Sequence, residues 1–218
     1  MKRGLTALIL GAALVTATPA AGQMWFFPDY AVPSMTGQPT TWVSGSYGRG
    51  LNDDSGETDG FAAVIGRTGE SASFMGGIGL VTGDGDDEVT LGAAVGVDVM
   101  QREAYTLSVQ GGFGWMSFDI LDETVTTLRF PLGLALKGDL SQENSTTRIT
   151  PWVMPRLNIA RISGFGDSDT ETDLGLSGGV TFTFENGYGD LTALDYQSAS
   201  GVVPIYFGNG VHYLLGQR

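Results

Sequence analysis

The chain has 218 residues, with 34 Gly, one His, no Cys and a formal charge of -13. The missing Cys excludes a disulfide framework, a thiol nucleophile, a thiolate metal site and a lipid anchor on Cys. The acidic surface repels nucleic acid, and the length suits one domain.

Met1-Lys2-Arg3, the apolar run from Leu5 to Val15 and the small residues Ala17-Thr18-Pro19-Ala20-Ala21 predict a signal peptide over residues 1–21. That apolar run is too short to cross a membrane as a helix, and no later stretch is long enough. Any crossing is therefore by strands. Cleavage leaves 9 of the 11 basic side chains against 24 acidic ones, a net of -15. Residues 22–40, with Met24-Trp25-Phe26-Phe27-Pro28-Asp29-Tyr30, read as an N-terminal arm whose aromatics rest on a barrel rim or at the lipid interface.

From residue 41 the pattern has period two, the signature of strands with unlike faces. Thr41 to Arg49 sets Val43, Gly45 and Tyr47 against Ser44, Ser46 and Gly48, and Phe61 to Arg67 follows. A turn at Thr68-Gly69-Glu70 leads into Phe74, Gly76, Ile78 and Leu80. Val89 to Val99 places an apolar residue at every odd position, and Tyr105, Leu107, Val109, Phe113 and Trp115 repeat the pattern after Gln101-Arg102-Glu103-Ala104. The sixth strand sets Leu128, Phe130, Leu132, Leu134 and Leu136 against Arg129, Pro131, Gly133, Ala135 and Lys137. The seventh, Arg148 to Arg161, sets Ile149, Val153, Leu157 and Ile159 against Thr150, Trp152, Met154, Arg156 and Asn158. Leu174 to Glu185 is the eighth, Asp190 to Tyr196 is short with ambiguous faces, and Pro204 to Leu215 is the last. The count is ten, or eight if the second or ninth element is not a full crossing. Pro131, Pro151 and Pro155 each remove a ladder donor, so bulges or interrupted ladders are expected there.

Alternation over about eleven residues is what a tilted strand needs to cross a bilayer. Tyr105 and Trp115 share a face ten residues apart, which is about 33 Å along a strand and about 25 Å along the membrane normal. With Tyr213 they are assigned to aromatic girdles. A soluble barrel binding an apolar ligand fits the same alternation with the apolar face inward. The polar faces decide between them, because they carry Gly, Ser, Thr and Ala rather than the Lys and Glu of a water-facing sheet. The prediction is an all-β, up-and-down antiparallel transmembrane barrel over residues 41–218, with Leu128, Phe130, Leu132 and Leu134 outward. Alternate connections emerge at one end. Asn52 to Asp59, Gly83 to Glu88, Asp119 to Glu123 and Gly166 to Asp173 hold most of the acidic residues, so one rim is expected to be acidic, opposite both termini.

The leader, the alternating strands, the girdle-spaced aromatics and the final Tyr206-Phe207-Gly208-Asn209-Gly210-Val211-His212-Tyr213 strand together resemble the bacterial outer-membrane β-barrel proteins, in the broad sense of small single-chain barrels. The resemblance implies residence in the outer membrane, contact with its lipid, the barrel-assembly machinery as a partner during biogenesis, and a monomer. The expected role is structural or surface-exposed, with a narrow solute passage as the specific variant and no enzymatic activity.

Outer-membrane lipid hydrolases share this architecture, but His212 has Leu214 rather than Ser two residues on, and it is read as a lumen or rim residue. Asp84, Asp86 and Asp87, and Asp167, Asp169 and Glu171, are candidate oxygen ligands for Ca²⁺, although neither run has EF-hand spacing. The default for both is a solvated acidic rim, and no cofactor is called for. Arg129, Lys137, Arg148 and Arg156 fall on the polar side of adjacent strands, which makes a basic strip along the lumen. Asp98, Asp173, Glu185 and Asp190 are its expected partners. Buried unpaired charge is costly, so a paired network is expected over an open anion-preferring passage.

Overall fold

The computed structural model describes residues 39–55, 58–82, 87–120, 123–141, 145–198 and 203–216. The predicted signal peptide, nearly all of the N-terminal arm, and Asp84 and Asp86 lie outside them. Ten antiparallel strands close into a barrel in which each strand pairs with its chain neighbours and the first pairs with the last. They are β1 Thr40–Gly50, β2 Asp59–Thr68, β3 Ala72–Thr82, β4 Glu88–Gln101, β5 Tyr105–Ile120, β6 Glu123–Gly138, β7 Thr147–Gly164, β8 Asp167–Phe184, β9 Tyr188–Ser198 and β10 Ile205–Leu215. The ten-strand count holds, and both β2 and β9 are full members of the ring.

The apolar faces point outward. Phe130, Leu132 and Leu134 are 41%, 55% and 49% exposed, and Ile65, Phe74, Ile78, Val95 and Leu194 continue the belt around the barrel. A soluble barrel would bury these side chains, so the inward alternative is overturned. Tyr105 opens β5 and Tyr213 nears the end of β10, where it packs on Tyr188 at 4.6 Å, so both sit at the end that carries the termini. Trp115 lies on the same outward face toward the opposite end of β5.

Two predicted loops are in fact strand. The β5–β6 connection is only residues 121–122, and β7 passes to β8 through Phe165 and Gly166, whose φ values of 53° and 74° form the tight turn that suits a two-residue hairpin. Asp119, Glu123, Asp167, Asp169, Glu171 and Asp173 therefore lie in strands rather than loops. The strands β5 to β8, at 16 to 18 residues, exceed the crossing length and carry this acidic surface beyond the membrane. Backbone pairing along the hairpin outweighs the low strand propensity of Asp.

Pro131 and Pro155 act as expected, whereas the β7–β8 ladder runs unbroken through Pro151↔Val180. The β5–β6 register lapses between Gly111↔Leu132 and Gly114↔Arg129, beside Pro131. The β6–β7 register lapses between Gly133↔Arg156 and Leu136↔Val153, beside Pro155. In β4 the register shifts between Asp98 and Met100, leaving Val99 as the extra residue of a bulge.

The closed lumen as the candidate functional site

The alternation that exposes the apolar belt drives the opposite faces of β6 to β10 into the lumen. Arg129 and Arg156, predicted there, are both buried. Arg156 grips Asp195 of β9 with both arms, Nη1 to Oδ1 at 2.7 Å and Nη2 to Oδ2 at 2.8 Å. The pair is 0% and 1% exposed. Such a fork-on-carboxylate pair fixes direction as well as charge. Ser177 Oγ accepts from Arg156 and donates to Asp195 Oδ1. Arg156 Nε donates to Asn158 Oδ1 at 3.2 Å, and Gln197 Nε2 donates to Asp195 Oδ2 at 3.2 Å. Arg129 Nη1 reaches Gln197 Oε1 at 3.3 Å, so the network joins β6 to β9.

The other lumen residues divide. Asp173 is half-buried on the inward side of β8, within electrostatic reach of Arg129. Lys137 is inward and half-buried at the end of β6. Asp98 is on the lumen side of β4, but it accepts from Ser108 Oγ at 2.6 Å and Gln101 Nε2 at 2.8 Å and takes no part in the basic strip. Arg148 lies on the lumen side at the start of β7, near the mouth, where it pairs with Asp139 in the β6–β7 connection through its Nε at 3.0 Å and its Nη2. Glu185 is no lumen residue, because β8 ends at Phe184 and Glu185 sits exposed in the turn. Asp190 faces outward, the alternate side from buried Leu191.

The missed partner is Asp195. Its signal lies in Glu185-Asn186-Gly187, where Gly187 has φ 83° and donates its N–H to Phe184 O at 2.9 Å. This three-residue hairpin sets Thr183 opposite Gly189, and the register then carries Asp195 to Ser177.

Toward the termini from that network two apolar clusters enter the lumen, among buried Thr106, Ser108, Thr150, Thr181 and Thr183. Ala135, Trp152, Met154, Leu191, Ala193 and Tyr206 form one cluster, and Trp42, Val64, Met75 and Leu214 form another. Ala94 packs against both, bridging the lumen between opposite walls. His212 lies at this level, 2% exposed, with Nε2 at 3.1 Å from Thr183 Oγ1. The histidine and hydroxyl thus face the interior, away from lipid.

Among the described residues no group of three or more His, Cys, Asp or Glu side chains is placed to hold a metal ion. Asp87, Asp167 and Asp169 are exposed, and Asp167 and Asp169 each accept the next residue's backbone N–H, from Ser168 and Thr170. Glu171 is half-buried on the lumen side of β8.

No protein-family model matches the chain, and no curated protein matches it in sequence. Its fold is similar to that of the translocator domain of autotransporter NalP from Neisseria meningitidis, at 15% identity and TM-score 0.51, covering 93% of this chain and 99% of that one. Other structural matches are Ail, the attachment invasion locus protein of Yersinia pestis, at 11% identity, TM-score 0.40 and coverages of 83% and 100%, and the N-terminal barrel of Pseudomonas aeruginosa OprF, at 13%, 0.37, 82% and 100%. The chain has the closed antiparallel fold of such an outer-membrane β-barrel, and its outward apolar belt suits a wall set in lipid.

Proposed function

We propose that this protein is a closed, monomeric outer-membrane barrel whose role is structural or surface-exposed, without enzymatic activity. The Arg156–Asp195 pair carries the reading. A water-filled passage at that level would leave those side chains wet, and their burial as a bidentate pair speaks for a sealed interior. The apolar layer around Trp152, Met154 and Leu191 adds a second barrier, since an ion crossing it would shed its hydration. The acidic start of β8, with Asp119 of β5 and Glu123 of β6, then forms the surface that meets the outside.

A narrow passage is the second reading, favoured only by the buried Arg129 and Arg156. Planar-bilayer recording on the refolded mature chain separates the two: a silent, inserted barrel supports the closed form, and stable anion-selective steps support the passage. Acyl release from phospholipid or lipid A by the same preparation, abolished by His212→Ala, would sink the non-enzymatic assignment.

A further inference from the structure

The hairpin of β7 and β8 outruns the strand beside it. β8 is in register with β7 along its whole length, from Gly164↔Asp167 to Thr147↔Phe184, but with β9 only from Leu174↔Ser198 to Thr183↔Gly189. Asp167 to Asp173 therefore have β7 on one side and, among the described residues, no strand on the other. The tight Phe165-Gly166 turn fixes which groups face the open side. In a two-residue hairpin the flanking residues, here Gly164 and Asp167, bond to each other, so the N–H groups of Ser168, Thr170 and Thr172 point away from β7. The hydrogen bonds agree. Ser168 N–H donates to Asp167 Oδ1 at 2.8 Å and Thr170 N–H to Asp169 Oδ1 at 2.7 Å, each to a side chain of its own strand.

Such an edge is a template for another strand unless Pro, Lys or a bulge blunts it. None of these interrupts Asp167 to Asp173. Ser168, Thr170 and Thr172 alternate with Asp167, Asp169 and Glu171, so one face carries hydroxyls and the other carboxylates about 7 Å apart. A second copy of the same edge brings carboxylate against carboxylate, which destabilises a strand pair, whereas a cation opposite each carboxylate stabilises it. We propose that this β8 edge takes up an extended basic segment of another polypeptide as an added strand, with Lys or Arg at alternate positions against Asp167, Asp169 and Glu171. The carbonyls of the incoming strand accept from Ser168 and Thr170, which releases the Asp167 and Asp169 carboxylates to pair with the cations. Backbone pairing supplies affinity, and the alternation of charge selects the partner.

The proposal rests on the reading that this end of the barrel meets the outside, and its test keeps the two apart. A fluorescent peptide alternating Lys with Thr is titrated onto the refolded mature chain in detergent and followed by anisotropy, and heat-modifiable migration on gels reports folding in the same samples. Saturable binding is expected. Thr170→Pro removes an edge N–H that β7 does not use and weakens binding about tenfold. Asp167→Asn combined with Asp169→Asn weakens it about fivefold. Asp87→Asn, an exposed carboxylate outside the edge, leaves it unchanged. Methylation of the peptide's backbone nitrogens, which keeps its charge, abolishes binding and decides the matter if Thr170→Pro fails to fold. No binding, or undiminished binding of the methylated peptide, overturns the proposal. A dimer of barrels in native mass spectrometry that Thr170→Pro dissolves would give the edge to a second copy and overturn it too. An impermeant maleimide applied to cells carrying Thr170→Cys tests the surface reading alone: an unlabelled chain whose refolded form binds the peptide overturns that reading, and a labelled chain that binds no peptide overturns only the edge proposal.

Discussion

Replacing Asp195 with Ala removes the carboxylate from the centre of the lumen network and leaves the Arg156 guanidinium buried. Arg156 loses both forked contacts, at 2.7 and 2.8 Å, and Ser177 and Gln197 lose their acceptor. Because the pair is 0% and 1% exposed, water does not replace the carboxylate. Breaking such a pair from one side costs about 3–5 kcal/mol, most of it the penalty of an uncompensated charge. Urea unfolding of the refolded barrel in lipid vesicles, followed by tryptophan fluorescence and gel mobility, reads this loss. The double variant Arg156→Met, Asp195→Leu removes both charges and is expected to lose less than the single one. A loss under about 1 kcal/mol for Asp195→Ala would mean that water reaches the pair, and would refute the closed-lumen reasoning.

Leu132→Arg puts a charge in the outward belt and should cost about 2–4 kcal/mol in lipid if the site lies near the bilayer midplane, whereas an unchanged unfolding midpoint in vesicles would contradict the belt. Gly189→Ala drives a Cβ into the His212 ring and the Phe182 carbonyl oxygen and should cost about 1–3 kcal/mol, while Gly111→Ala, whose nearest neighbour is 3.8 Å away, stays within about 0.5 kcal/mol by the same unfolding assay. At the mouth, burial pushes the Asp139 carboxyl up, but hydrogen bonds from Ser141 and Arg148 outweigh it and hold the group below the ordinary value of 3.8. A depressed folded-state pKa contributes stability above the unfolded value and loses it as pH falls through the folded one. Asp139→Asn should therefore reduce stability by under about 1 kcal/mol at neutral pH and flatten its decline below about pH 4. An identical acid profile for parent and variant would show that the pair contributes nothing.

The strands of the barrel were legible in the sequence because a wall between lipid and a packed lumen imposes period two on every residue. The prolines too were legible: a missing N–H at Pro131 or Pro155 leaves a ladder no means of continuing. Asp167 to Asp173 were misread as loop, since propensity gives Asp to loops, whereas a Phe165-Gly166 turn with both φ values positive zips the hairpin to its tip. The lumen site was half legible. Arg129 and Arg156 stood out against oily neighbours, but β9 sets Asp190 and Thr192 outward and Leu191 and Asp195 inward, so polarity alone assigns neither face. Only the hairpin register at Gly187 distinguishes them, and it delivers Asp195 to Arg156. Glu185 was placed on the wall by extending the alternation past the end of β8, whereas Arg148 is in the ladder at the start of β7 and pairs at the mouth with Asp139 rather than with the buried network.

The central claim, an apolar wall in lipid around a closed lumen, is tested most directly by thiol accessibility, for which a chain without Cys is suited. Leu132→Cys, Ser177→Cys and Thr170→Cys probe the outer wall, the lumen network and the exposed end of β8. In vesicles, a membrane-impermeant sulfonated maleimide is predicted to label Thr170→Cys and to leave the other two unmodified until the barrel is unfolded. Labelling of Ser177→Cys in the folded protein would show a water-filled lumen, and labelling of Leu132→Cys would put the apolar wall in water; either result contradicts the account.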